Sequence, residues 1–187
     1  MVQRQATRPK IGVMGSARDA LEAGEKSRLT SLAARLGTVI AERNCVLITG
    51  ATTGLPEMVS RVVRRVGGLT IGISPASSAA EHVELYRLPI DVAEVIIYTG
   101  FGLKGRNVIN IRASDIVIIF GGGMGALNEF TIAYDEGKVI GVMEGSGGIA
   151  DHIKEIVKSA DKPTVSRLIF DDRPESLLDS CLAALRE

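Results

Sequence analysis

Residues 105–130, GRNVINIRASDIVIIFGGGMGALNEF, hold the pattern from which the fold can be read. A continuously apolar run, DIVIIF (115–120), meets three consecutive glycines and then a helix-like segment that contains Glu129. Strands that are apolar on both faces belong to sheets covered by helices on both sides. A glycine turn between such a strand and a helix lets the backbone approach a ligand and aims N–H groups at an anion. The helix start adds roughly half a positive charge at the same point.

The same unit recurs on either side. IGVMG (11–15), CVLIT (45–49), LTIGIS (69–74), EVIIYT (94–99), KVIGVM (138–143) and RLIF (167–170) read as further strands. Helical spacing fills 26–43, where Leu29, Leu32, Ala33, Leu36 and Ile40 share a face, and continues through Val59, Val62, Val63 and Val66. Further helices are predicted over 105–113, 125–136, near 149–159 and over 174–185, the last with Pro174 in its first turn. Residues 75–93 lack periodicity and read as a loop with at most a short helical turn.

Alternating strands and helices predict an α/β fold: one doubly wound, mostly parallel, Rossmann-like sheet with helices on both faces. It spans residues 10–187 as a single domain, after a polar tail over 1–9 expected to be disordered. EVIIYT is expected to be covered on both faces, like DIVIIF.

Zero formal net charge and 4% aromatic residues supply neither the basic field nor the stacking platforms of a nucleic-acid binder. No apolar run reaches the ~18 residues of a membrane span, and the N-terminus MVQRQATRPK is not a signal peptide. A cytoplasmic protein is expected. Cys45 and Cys181 match no metal or redox spacing and read as buried small hydrophobes. His82 and His152 have no partner at useful spacing, and no metal site is expected.

In doubly wound sheets ligands sit beyond the carboxyl ends of the strands, at GSARD (15–19), GATTG (50–54), TGFGLKGRN (99–107) and GGGMG (121–125). Gly121, Gly122, Gly123, Met124, Gly125 and Ala126 are the candidate phosphate turn. Gly50, Thr52, Thr53 and Gly54 repeat the theme with hydroxyl donors, although Thr53 equally suits a helix cap. Gly15 and Ser16 suit a nucleoside contact, or a cap by Ser16 or Asp19. Arg106 can bind phosphate or carboxylate bidentately. Glu129 lies about one helical turn beyond Gly125, on the ligand side. A carboxylate inside a phosphate cradle is unfavourable unless a cation neutralises it, and Arg106 is the candidate. Asp115, at a strand start, reads as a local cap or ion pair.

These residues resemble the superfamily that includes the LONELY GUY phosphoribohydrolases, also called lysine-decarboxylase-like proteins, and the molybdenum-cofactor carrier proteins. GGGMGALNE (121–129) aligns without a gap with the family motif PGGxGTxxE. Arg106 stands nine residues before Asp115, as in the family's Arg-Lys segment. GATTGLPE is similar to its GGGxxGLM loop, and Gly15-Ser16 to its first-strand Gly-Ser. Gly121 stands in place of proline, Ala126 of threonine and Asn107 of lysine.

The resemblance implies a small phosphate-bearing ligand and a homo-oligomer, either dimer or tetramer. It also implies cleavage of the N-glycosidic bond of a nucleoside 5′-monophosphate, with Arg106 and Glu129 as the catalytic pair and no required cofactor. Charge at the ribose C1′ would be stabilised by Glu129. The same loops suit a non-catalytic carrier or sensor of molybdenum cofactor or a nucleotide. NAD-type dinucleotide binding is a third option: GGGMGA fits GxGxxG/A, and Glu144 follows about 20 residues on. That fingerprint normally follows the first strand of its unit and leaves Arg106 and Glu129 unexplained.

Overall fold

The computed structural model describes residues 7–16 and 23–187. Its strands are β1 (Lys10–Gly15), β2 (Val46–Thr49), β3 (Leu69–Ser74), β4 (Val95–Tyr98), β5 (Ile116–Phe120), β6 (Val139–Met143) and β7 (Arg167–Asp171). Every pairing is parallel, in the order β4-β3-β2-β1-β5-β6-β7. The Rossmann-like α/β class is therefore as expected.

Helices α1 (Ala23–Glu42), α2 (Leu55–Arg65) and α7 (Pro174–Ala184) cover one face of the sheet. Leu29, Leu36, Ile40, Val59, Leu177 and Leu178 pack there on Ile11, Leu47, Ile116, Ile118 and Phe120. The other face lies under α4 (Gly102–Ala113), α5 (Met124–Asp135) and α6 (Ile153–Ala160). Ile111, Phe130, Ala133 and Ile153 meet Met14, Val117, Ile119 and Ile140. Burying each large aliphatic side chain contributes about 1.5–3 kcal/mol, so the two layers account for the continuously apolar central strands.

The one-turn-scale helix allowed in 75–93 is α3 (Ala79–Glu84), capped by Ser78, whose side chain accepts from Glu81 N at 3.2 Å. His82 of this helix is fully buried, with Nδ1 2.8 Å from Ser74 Oγ and Nε2 3.1 Å from Pro89 O. It fastens the connection between β3 and β4.

Three expectations need correction. EVIIYT is an edge strand, and Val95 and Ile97 are 48% and 46% exposed, so one of its faces carries no helix. Helix α4 begins three residues before the expected Gly105, which brings Leu103 and Lys104 onto its first turn. The N-terminal tail is anchored before residue 10: Pro9 O accepts from Val46 N at 2.8 Å, and Arg8 Nε donates to Asn44 O at 2.9 Å. Residues 1–6 lie outside the described residues.

Candidate functional site

Strand order reverses between β1 and β5, and the loops leaving these two strands part to form a crevice at the carboxyl end of the sheet. Two clefts lie there, with Gly15, Gly125 and Ala126 as their common wall. The first, of ≈ 200 Å³, is bordered by Gly50, Thr52, Leu103, Lys104, Arg106 and Glu129. The second, of ≈ 590 Å³, faces the glycine turn and includes Ser16, Glu25, Met124 and Ser146.

Helix α4 builds the first cleft in an unusual way. A surface helix normally buries an apolar stripe; α4 buries Arg106, Asn107 and Asn110 together with Ile111. Asn110 stands four residues after Arg106 and three after Asn107, which brings it beside both on the helix surface. Arg106 Nη1 donates to Glu129 Oε1 at 3.3 Å, and both side chains are under one-tenth exposed. Asn110 Nδ2 donates to the same Oε1 at 3.3 Å and lies 3.2 Å from Met14 Sδ. Asn107, oriented to satisfy its neighbours, donates to Leu103 O at 2.9 Å and to Glu129 Oε1 at 3.2 Å. In that orientation the Asn107 side-chain oxygen faces the Asn128 amide at 2.7 Å.

Burial pushes the Glu129 carboxyl above the usual carboxylate range, against the opposing pull of Arg106, Asn110 and Lys104. Burial likewise lowers Arg106, although a guanidinium beside a carboxylate stays protonated. Arg106 Nε and Asn110 Oδ1 are buried and have no hydrogen-bond partner among the described residues. Leaving such groups unpaired costs about 1–3 kcal/mol each. Polar groups concentrated and incompletely satisfied at a cleft make it the candidate site.

The glycine turn is held from behind. Gly121 has φ +63° and donates its N–H to Ser146 Oγ at 2.8 Å, and Ser146 Oγ donates to Met143 O at 2.6 Å. Gly122 O accepts from Ile149 N at 2.9 Å, at the start of a 3-10 stretch over 148–152. Proline is excluded at Gly121 by both its fixed negative φ and its missing N–H, which explains that departure from the PGG pattern. Gly122 has φ +96°, and a Cβ there would lie 2.4 Å from Ala126 Cβ. Gly123 and Gly125 differ, because a Cβ on either meets no described residue within 4 Å beyond its own chain neighbours and helix.

Of the sequence-predicted residues, Arg106, Glu129, Gly50 and Thr52 meet in the first cleft. Ser16, Gly121, Gly122, Gly123 and Met124 meet in the second, and Gly15, Gly125 and Ala126 border both. The Gly121 amide is committed to Ser146, so that residue shapes the turn and offers no free donor. Thr53 and Gly54 border neither cleft; Gly54, with φ +84°, is the residue that precedes α2. Asp115 pairs with Lys10 at 2.7 Å, away from the crevice. Glu144, the carboxylate needed for a dinucleotide, pairs with Lys154. Asp19 lies outside the described residues. Missed from the sequence were Asn110, Asn128, Lys104 and Ser146. The signal for Asn110 was available, since it stands one helical turn after Arg106 on a helix with little apolar stripe.

Fold and site together define a Rossmann-like ligand-binding protein. The chain belongs to the SLOG cluster4 family, whose model matches residues 8–178. It is 37% identical over 130 residues to an uncharacterized protein of Archaeoglobus fulgidus, covering 69% of this chain and 76% of that one. The structure is similar to TM1055, with a TM-score of 0.80 and 24% identity, covering 94% of this chain and 99% of that one. It is also similar to the molybdenum cofactor binding protein of Rippkaea orientalis, with a TM-score of 0.76 and 27% identity, covering 97% and 99%. Among the described residues no helix is long and apolar enough to cross a membrane.

Proposed function

We propose that this protein binds and carries a small phosphate-bearing ligand of the molybdenum-cofactor or nucleotide type, with the phosphate on the turn from Gly122 to Gly125. The observation that carries this is the open backbone of Gly123 and Gly125 at the α5 N-terminus, where no described residue within 4 Å occupies the space of a side chain. Likeness to the Rippkaea orientalis protein supports molybdenum cofactor as the cargo. Among the described residues no group of three or more His, Cys, Asp or Glu is placed to hold a metal ion. Phosphate and heterocycle contacts would therefore provide the binding. The test is incubation with cofactor released from a molybdoenzyme, gel filtration, and assay of the protein fraction for pterin fluorescence. Retained pterin that inorganic phosphate displaces is expected; a pterin-free fraction counts against this cargo.

A second reading, N-glycosidic hydrolysis of a nucleoside 5′-monophosphate, is favoured by the Arg106–Glu129 pair at the cleft wall. Glu129 would stabilise charge at the ribose C1′ or orient water, while Arg106 holds its charge and the substrate. Chromatography for free base after incubation with several monophosphates tests it, and Glu129→Gln should abolish any release while nucleotide still binds. Base release undiminished by the substitution would exclude this role.

Self-association into a dimer or tetramer, in the cytoplasm, belongs to the same proposal. The uncovered apolar side chains of β4 support it, and light scattering measures it.

A further inference from the structure

The two clefts differ in charge. Around the glycine turn, the described lining residues include Glu25 and neither lysine nor arginine, so an anion there relies on backbone N–H groups and the α5 dipole. The first cleft holds two cations, Lys104 and Arg106, and one carboxylate, Glu129. These two cations are not equivalent. The Arg106 guanidinium is wedged on Gly50, where a Cβ would fall 2.1 Å from Nη1, and its charge is matched by Glu129. Lys104 is exposed, stands on the first turn of α4, and forms no ion pair among the described residues.

With Arg106 and Glu129 cancelling, Lys104 leaves the described lining of this cleft with one uncompensated positive charge. Arg106, which borders the same cleft, also has a buried Nε without a partner among the described residues. Field from Lys104 also reaches Glu129, where it opposes the effect of burial.

We propose that Lys104 is a specificity residue of this site: it receives a second negatively charged group at the Arg106 end of a ligand whose phosphate occupies the glycine turn. The preferred ligands are then anionic at both ends, with a compact neutral body crossing the shared wall of Gly15, Gly125 and Ala126. This rests on the phosphate-turn reading given above. A flexible ammonium suits the role because it is a compact point charge that can follow the ligand, unlike the fixed fork of Arg106.

Calorimetric titration with adenosine 5′-monophosphate and adenosine 3′,5′-bisphosphate tests the inference, since the two differ by one phosphate across the ribose. The bisphosphate is expected to bind roughly tenfold more tightly, the scale of one charge-assisted hydrogen bond. Lys104→Ala should bring the ratio of the two affinities close to one, Lys104→Arg should restore most of it, and Lys104→Glu should reverse it. Equal affinities in the unmodified protein, or a ratio that Lys104→Ala leaves unchanged, overturn the role of Lys104 while leaving the phosphate turn standing. Failure of both nucleotides and of inorganic pyrophosphate to bind the unmodified protein overturns the phosphate-turn reading and this inference together.

Discussion

The guanidinium of Arg106 rests directly on the backbone of Gly50: a Cβ at that glycine would fall 2.1 Å from Nη1 and 2.4 Å from Cζ. The end of β2 and the cleft-facing side of α4 are thereby held together by the absence of one methyl group. Gly50→Ala is expected to push Arg106 off Glu129 and leave both charges buried without their partner. Breaking such a pair costs about 3–5 kcal/mol. Urea unfolding should show the loss, and Gly50→Ala stability close to that of the unmodified protein would mean that Arg106 has another resting place.

Gly125 presents the opposite case. It lies in the first turn of α5, has no positive φ, and a methyl group there meets no described residue within 4 Å beyond its own chain neighbours and helix. Alanine in a helix is favoured over glycine by up to about 1 kcal/mol. Gly125→Ala should therefore raise the melting temperature while weakening phosphate-bearing ligands, because the methyl group occupies the wall shared by both clefts. Calorimetry and thermal unfolding on the same sample separate the two effects. Ligand affinity that survives the substitution would place the phosphate elsewhere.

Ser146 supports the turn through the Gly121 amide. Removing its hydroxyl leaves the buried Gly121 N–H unpaired, at a cost of about 1–3 kcal/mol. Ser146→Ala should lower stability by that amount and loosen amide protection at Gly121 in hydrogen exchange. Unchanged protection at Gly121 would show that another acceptor takes over.

The raised Glu129 carboxyl predicts a pH dependence with a definite sign. Its folded-state value lies above the ordinary 4.5, so between the two values the folded protein holds a proton that the unfolded chain has released. Its contribution is full below about 4.5 and is lost as pH rises through the folded value. Surface carboxylates such as Asp91 and Glu175, lowered by their arginines, run the other way. Comparison with Glu129→Gln isolates the buried group: the stability of the unmodified protein minus that of the variant should fall as pH rises above 4.5. A difference that grows with pH would mean that Arg106 outweighs burial.

Much of the architecture was legible in the sequence because burial and periodicity are local signals. DIVIIF and KVIGVM are apolar throughout since helices lie on both sides of them. EVIIYT carries the same pattern at the sheet edge, where uncovered Val95 and Ile97 give no local warning of their position. Within the site, Arg106 and Glu129 were recognisable from their place around β5. Asn110, Asn107 and Lys104 were harder to see, because their importance depends on which face α4 turns inward, and that face is polar. The role of the Gly121 amide was not legible at all, since its partner Ser146 arrives from beyond the following strand.

The inward face of α4 has a practical consequence. Arginine and two asparagines stand where aliphatic side chains would add cohesion, so this helix gains little from the packing that secures its neighbours. A small molecule that fills the orphaned hydrogen-bonding positions would clamp α4 and add its binding energy to that of folding. Melting temperature is thus a readout that requires no prior guess at chemistry. A library of phosphorylated metabolites and pterins, screened by the heat each lets this chain withstand, would let the protein select its own ligand.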